Sequence, residues 1–212
     1  MMEKTVSYNA KNTYVTLNTL THRTKNVWLV FHGIGYLSRY FIKHFESLDV
    51  DQNYIIAPQA PSKYYLKNEY KYVGASWLTK ENTLTETENV LNYIDAVFDA
   101  EQIPPETNLF VFGFSQGVSI ATRWMTKRKI HCTTLILYAG GIPNELAEQD
   151  FEYLDWDITS VKIVYGKKDN YLNRERLRQE NIKITKLFQD NVEFINFEGG
   201  HEMKAEVIQN LI

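Results

Sequence analysis

Ser115 stands at the centre of Gly113-Phe114-Ser115-Gln116-Gly117, directly after the apolar run Leu109 to Phe112 and directly before the helix-like stretch Val118 to Arg128. A serine between a strand and a helix must reverse the chain sharply, and glycines two residues to either side let the two backbones approach without Cβ clashes. Its hydroxyl then projects from the carboxyl edge of a sheet, where a nucleophile can meet a carbonyl. The competing reading is a glycine-rich turn whose serine merely caps the helix.

A serine hydroxyl is a weak nucleophile at neutral pH, so it needs a base, and the base needs an orienting acid. Five histidines are available. His22 lies near the chain's first segments, His44 fits a helix and His131 precedes a strand, each in a place typical of surface or packing residues. His201 instead follows the last apolar strand within Glu198-Gly199-Gly200-His201, a sharply turned loop. The acid is expected between nucleophile and base in chain order, after another strand. Asp169 meets that condition, following Val161 to Gly166 with only Lys167 and Lys168 between. Asp155 and Asp157 precede that strand, which puts them at the opposite edge. For Asp169 a helix-capping role before Leu172 remains the alternative.

A tetrahedral intermediate also needs donors for its oxyanion. The backbone N–H of Gln116 opens a helix, where the dipole favours negative charge, and the backbone N–H of Ile34 in the turn His32-Gly33-Ile34-Gly35 can converge on the same point. His32 is assigned no proton; a histidine before a tight glycine turn holds the turn's shape.

These residues require a scaffold of alternating strands and helices. Two short alternating segments, Thr5 to Ala10 and Thr13 to Leu20, read as an N-terminal antiparallel hairpin turned at residues 9–12. Val27 to Phe31 and Tyr54 to Ala57 are continuously apolar, as expected for strands covered on both faces. Helical spacing links Phe41, Phe45 and Leu48, then recurs over Leu84 to Ala100. The strands Leu109 to Phe112, Thr134 to Ala139, Val161 to Tyr165 and Val192 to Phe197, with helices at Val118 to Arg128, at Asn173 to Phe188 and at the C-terminus, continue the alternation. The expected fold is α/β: a mainly parallel sheet with helices on both faces and its site at the strands' carboxyl ends.

Composition narrows the partners. The 212 residues carry a net charge of −3 with 44% hydrophobic and 23% charged residues, which suits a soluble globular chain and shows no basic stripe for nucleic acid. One domain over residues 1–212 is expected, without a large cap domain. The N-terminal residues lack the apolar centre of a signal peptide, no stretch approaches a membrane span, and the single cysteine, Cys132, has no disulfide partner in the chain. A cytoplasmic location with a buried, inert thiol is expected. The histidines show no metal-ligand spacing, so neither metal nor other cofactor is called for.

The chain resembles the α/β-hydrolase superfamily and, within it, the phospholipase/carboxylesterase family that includes acyl-protein thioesterases. The matching positions are His32-Gly33-Ile34-Gly35, Ala57-Pro58-Gln59-Ala60-Pro61, Ser76-Trp77, Gly113-Phe114-Ser115-Gln116-Gly117, Gly166 with Asp169, and Gly199-Gly200-His201. That resemblance implies Ser115 as nucleophile, His201 as general base and acid, Asp169 as orienting carboxylate, and the Ile34 and Gln116 amides as oxyanion donors, acting on a small-molecule ester or acyl substrate. Two departures bear on substrate: the oxyanion turn continues as Tyr36-Leu37-Ser38-Arg39-Tyr40, and little chain follows His201.

Between Pro61 and Trp77 the connector holds Tyr64, Tyr65, Tyr70 and Tyr72, interleaved with Lys63, Lys67 and Lys71. Either these aromatics pack over the sheet, or part of the loop, with Trp77, Tyr36 and Tyr40, covers an apolar acyl groove beside Ser115. The lysines read as a solvated face, with an anionic leaving group or a membrane surface as alternatives. A different class of reading is a hydrolase-fold binding or scaffold protein that has lost turnover. Acyl length, the choice of ester or thioester, and oligomeric state are left open by the sequence.

Overall fold

The structure, a computed structural model, describes residues 1–171 and 174–212. Seven strands form one sheet in the order β1-β3-β2-β6-β7-β8-β9. They are β1 (Tyr14–Leu17), β2 (Asn26–Phe31), β3 (Asn53–Pro58), β6 (Asn108–Phe114), β7 (Thr134–Tyr138), β8 (Ser160–Gly166) and β9 (Val192–Phe197). All neighbours pair in parallel except β1, which runs antiparallel to β3. This is the expected α/β-hydrolase architecture. A separate two-stranded antiparallel ribbon, β4 (Ser62–Tyr65) and β5 (Val73–Ser76), stands outside the sheet.

The side chains of β2 alternate between two cores, as the two-residue period of a strand requires. Val27, Leu29 and Phe31 join the cluster built with α2 (Thr83–Ala100), α3 (Gln116–Arg128) and α4 (Arg174–Phe188); Trp28 and Val30 join the other, built with the short α1 (Ser38–Phe41) and α5 (Ala205–Gln209). Both faces being covered, every residue of β2, β3 and β7 is buried. Each fully buried Leu, Val or Phe contributes roughly 1.5–3 kcal/mol against the entropy of ordering the chain.

The expected N-terminal hairpin is corrected. Residues 5–10 form no strand, and the antiparallel partner of β1 is β3 rather than a preceding segment. β3 has one edge free after pairing with β2, and residues 14–17 occupy it, so β1 becomes the edge strand of the sheet. Asn18, at φ 70°, then ends β1. The expected helix through Phe41 and Leu48 is one α-turn continued as a single 3₁₀ turn over Ile42–Phe45. The expected start of α4 at Asn173 lies outside the described residues, as does Leu172, the residue that Asp169 precedes in its capping alternative.

An asparagine row pins the register at the opposite edge from the site. Asn26 sits opposite both Asn53 and Asn108. Asn53 Oδ1 accepts from Asn26 Nδ2 at 3.1 Å and from Trp28 Nε1 at 3.0 Å, while its own Nδ2 donates to the Asp49 carbonyl. The Asn53 side chain therefore lets the fully buried Trp28 keep a satisfied indole N–H. Asn53→Leu removes that acceptor from two buried donors, and we expect a loss of about 2–3 kcal/mol in urea-denaturation stability. A loss below about 0.5 kcal/mol would mean that the row is incidental.

Candidate active site

Ser115 closes β6 and precedes α3 with φ 53° and ψ −115°, a conformation that L-residues rarely adopt. Glycines make it attainable. A Cβ on Gly113 would lie 2.6 Å from the Gly117 carbonyl carbon, and one on Gly117 would lie 2.0 Å from the Phe31 carbonyl oxygen. Neither contact can be relieved by rotating a side chain, because the opposing atoms are backbone. The Ser115 N–H donates to the Tyr138 carbonyl of β7 at 2.9 Å, anchoring the turn across the sheet.

His201 Nε2 lies 2.9 Å from Ser115 Oγ, and His201 Nδ1 lies 2.7 Å from Asp169 Oδ2. The Asp169 side chain is fully buried, whereas the imidazole is about one-fifth exposed. A carboxylate can only accept, so Nδ1 carries the hydrogen and the Nε2 lone pair faces the serine hydroxyl. Asp169 Oδ1 accepts the Tyr171 N–H at 2.8 Å, so the carboxylate also fixes its own loop, one turn earlier than a cap on α4 would require. The imidazole lies between two aromatic rings, Phe114 at 5.1 Å and Tyr171 at 4.8 Å between centroids.

Two loops deliver the acid and the histidine together. The Lys167 N–H donates to the Phe197 carbonyl at 2.9 Å and the Lys168 N–H to the Gly199 carbonyl at 2.8 Å, continuing the β8–β9 pairing beyond the strands. Gly166 makes this possible, since a Cβ there would lie 2.3 Å from the Gly200 carbonyl oxygen.

The turn bearing Ile34 lies against the serine: a Cβ on Gly33 would be 3.1 Å from Ser115 Cβ. Among the described residues no acceptor takes the N–H of Ile34 or of Gln116. The turn is held from both sides. The Gly35 N–H donates to the Ala75 carbonyl and the Ala75 N–H returns to the Tyr36 carbonyl, so β5 braces it. On the inner side His32 is fully buried, its Nδ1–H donating to the Gly33 carbonyl at 2.8 Å and its Nε2 accepting the Ala60 N–H at 3.1 Å. Burial pushes its pKa down from the ordinary 6.5 to about 4.

The groove assignment of Trp77 is corrected. Its side chain is fully buried, packed edge-on to Phe31 and against the His32 ring, with Nε1 donating to the His32 carbonyl at 2.8 Å. An indole whose N–H finds an internal acceptor can be buried at little cost, and this one supports the turn from beneath. The aromatic connector does not pack over the sheet either: it is the ribbon β4–β5, with Tyr64, Tyr65, Tyr70 and Tyr72 exposed. Tyr36, Tyr40, Leu66 and Tyr72 border a cavity of about 520 Å³ beside the Gly35–Tyr36 turn.

Two contributions escape sequence reasoning. The Gln116 side chain accepts the Trp77 N–H at 2.9 Å and donates to the Leu78 carbonyl at 2.7 Å, tying the end of the ribbon to the start of α3. Its position in the motif signalled a family and not this clamp. Tyr171, two residues after Asp169, carried a usable signal as an aromatic beside the candidate acid. Asp155 and Asp157 stay remote, Asp155 Oδ1 accepting the Asp157 N–H in an exposed turn, and His131 packs on Tyr153.

The profile of the Phospholipase/Carboxylesterase family matches residues 12–212. The chain belongs to that family, and with it to the esterase-type hydrolases of α/β-hydrolase fold. Among solved structures it is similar to acyl-protein thioesterase 2 of Zea mays, with TM-score 0.71 and 15% identity over 95% of this chain and 96% of that one. It is also similar to a phospholipase/carboxylesterase of Dyadobacter fermentans, with TM-score 0.66 and 23% identity over 97% and 98% of the two chains. The Bacillus cereus carboxylesterase gives TM-score 0.67 and 16% identity over 95% and 92%. No curated protein sequence matches this chain significantly. Among the described residues no helix is long and apolar enough to cross a membrane, and no group of three or more His, Cys, Asp or Glu side chains is placed to hold a metal ion.

The buried His32 sets a pH dependence of stability. Its folded pKa of about 4 lies below the ordinary 6.5, so between those values the unfolded chain binds a proton that the folded chain refuses. Stability present above pH 6.5 is therefore lost as the pH falls towards about 4, by roughly 3 kcal/mol in all. Urea denaturation across this range should show that slope in the wild type and a shallower one in His32→Gln. Equal slopes would place the acid sensitivity elsewhere.

Proposed function

We propose that this chain is a serine hydrolase that cleaves carboxylic esters, and thioesters by the same route, through an acyl-enzyme. The observation that carries the reading is the relay from Asp169 through His201 to Ser115, at 2.7 and 2.9 Å, ending on a serine raised on a sharp strand-to-helix turn. Capping a helix would not require a histidine and a buried carboxylate behind the hydroxyl.

Ser115 Oγ attacks the substrate carbonyl carbon while His201 Nε2 takes the hydroxyl proton. The carbonyl oxygen becomes an oxyanion, held by the backbone N–H groups of Ile34 and Gln116, the second of which adds the positive end of the α3 dipole. Collapse breaks the bond to the leaving oxygen or sulfur, which receives the proton from His201 and departs. Water then enters, gives its proton to His201 and attacks the acyl carbon; the acid is released and the proton returns to Ser115. Asp169 fixes the imidazole in the tautomer these transfers need and stabilises its protonated form.

The intact serine, acid and base, the two glycine turns, and two amides without an acceptor among the described residues support this assignment over a hydrolase-fold scaffold that has lost turnover, which would not need all of them. The whole chain acts as one catalytic domain without a large cap. A cytoplasmic site of action belongs to the same proposal, supported by the single cysteine, which is buried and whose thiol pKa burial pushes up to about 12.

Incubation with a fluorophosphonate probe should place one adduct on Ser115 and none on Ser115→Ala. Absent labelling, or equal labelling of both, would refute the assignment. Asp169→Asn should keep its fold by circular dichroism yet lose roughly 10³–10⁴-fold in kcat, because the amide presents the wrong group to Nδ1. Near-normal turnover would put the orienting acid at another residue.

A further inference from the structure

The cavity beside the oxyanion turn has walls of one chemistry and a rim of another. Tyr36, Tyr40, Leu66 and Tyr72 make the walls apolar and aromatic, while Arg39, Lys67 and Lys71 also line it. No aspartate or glutamate does. Three positive charges thus gather at one cavity in a chain whose net charge is −3.

These cations are not consumed by ion pairs: among the described residues none of the three lies within salt-bridge distance of a carboxylate, including that of Glu69 in the ribbon's own turn. Two of them rest instead on aromatic faces of the cavity. The Arg39 guanidinium carbon lies 4.9 Å from the Tyr40 centroid, and Lys71 Nζ lies 5.4 Å from the Tyr72 centroid. A cation held on a ring keeps its remaining N–H donors available to an anion.

The cavity's place relative to Ser115 decides which part of a substrate it meets. Gly35 and Tyr36 belong to the oxyanion turn, and the Tyr36 ring lies 6.0 Å from that of Phe114, the residue preceding Ser115. The leaving group must reach His201 Nε2, on whose side Tyr171 stands, and no residue of the loops bearing Asp169 and His201 lines this cavity. That leaves the side of the turn on which the cavity lies for the acyl group.

Resting on the serine-hydrolase reading above, we propose that the preferred acyl group is a short aliphatic chain ending in an anion, such as a dicarboxylic acid monoester, with the chain against Tyr36 and Leu66 and the terminal charge met by Arg39, Lys67 and Lys71. Apolar walls with a cationic rim complement an amphiphile of that kind. A plain fatty acyl chain gains nothing from the three exposed cations, whereas a terminal anion can pair with them.

The test compares para-nitrophenyl adipate monoester with para-nitrophenyl hexanoate, which differ in the terminal carboxylate. The wild type should favour the adipate by about tenfold in kcat/KM, mainly through KM, with the ratio shrinking as salt is raised. In the triple variant R39Q/K67Q/K71Q the ratio should fall to about one, and in K67E/K71E it should drop below one. Because each ratio is taken within one protein, partial loss of folded material cancels. A wild-type ratio of one or less, or a ratio unmoved in both variants, overturns the proposal. So does preference for an anion on the alcohol side, read with para-carboxyphenyl hexanoate. If hexanoate is hydrolysed and adipate no better, this inference alone fails; if neither ester is hydrolysed, the serine-hydrolase reading fails with it.

Discussion

The backbone of Ser115, at φ 53°, is the constraint on which the site depends. Such a conformation costs of the order of 1–3 kcal/mol and survives only where its surroundings leave no alternative. Here they leave none. The Ser115 N–H is engaged by β7, the Ser115 carbonyl accepts the Val118 N–H, and α3 returns so close over β2 that position 117 admits no side chain. A relaxed serine would let β6 run on and would bury or misdirect the hydroxyl; the strained one lifts it clear of the sheet towards His201.

Everything else at the site is positioned relative to that turn, by two separate kinds of support. On one side the structure is polar, buried and fully bonded: His32, Ala60, Trp77 and Gln116 form a hydrogen-bonded frame around the Gly33–Tyr36 turn, with no buried side-chain N or O left unpaired among the described residues. Buried polar groups that are all satisfied hold a single geometry, since any displacement leaves a donor or acceptor without a partner in a low-dielectric interior. On the other side the support is backbone to backbone, with the loops after β8 and β9 hydrogen-bonded to each other and Asp169 and His201 carried on them. The neutral state of His32 belongs to the first frame: protonated, it would lose the lone pair that accepts the Ala60 N–H.

What could be read in the sequence divides along physical lines. The strands buried on both faces announce themselves as apolar runs, and the positions of Ser115, Asp169 and His201 follow from the rule that loops at the carboxyl ends of parallel strands converge. The β4–β5 ribbon is invisible by the same logic: β4 is exposed along its whole length, so no alternation of apolar and polar residues marks it. The segment at residues 5–10 shows the reverse failure, an alternating pattern that forms no strand although β1 stands at the edge of the sheet. Trp77 misleads because aromatic content in a connector is ambiguous until the indole N–H is given a partner, and that partner, the His32 carbonyl, lies 45 residues away in the chain.

The same division explains why family membership informs the chemistry more than the substrate. The reacting half is fixed by contacts between backbones, where one added Cβ would collide with a carbonyl, so any sequence that folds this way is driven to glycine at those few positions and is free elsewhere. Structures only 15% and 23% identical to this chain can therefore share its fold over nearly their whole lengths. The cavity half is made of side chains on an exposed ribbon and a short helical turn, where Arg39, Lys67 or Tyr72 can be exchanged without disturbing a single buried hydrogen bond. Selection for a new acyl group can act on that half while the strained serine and its partners stay in place.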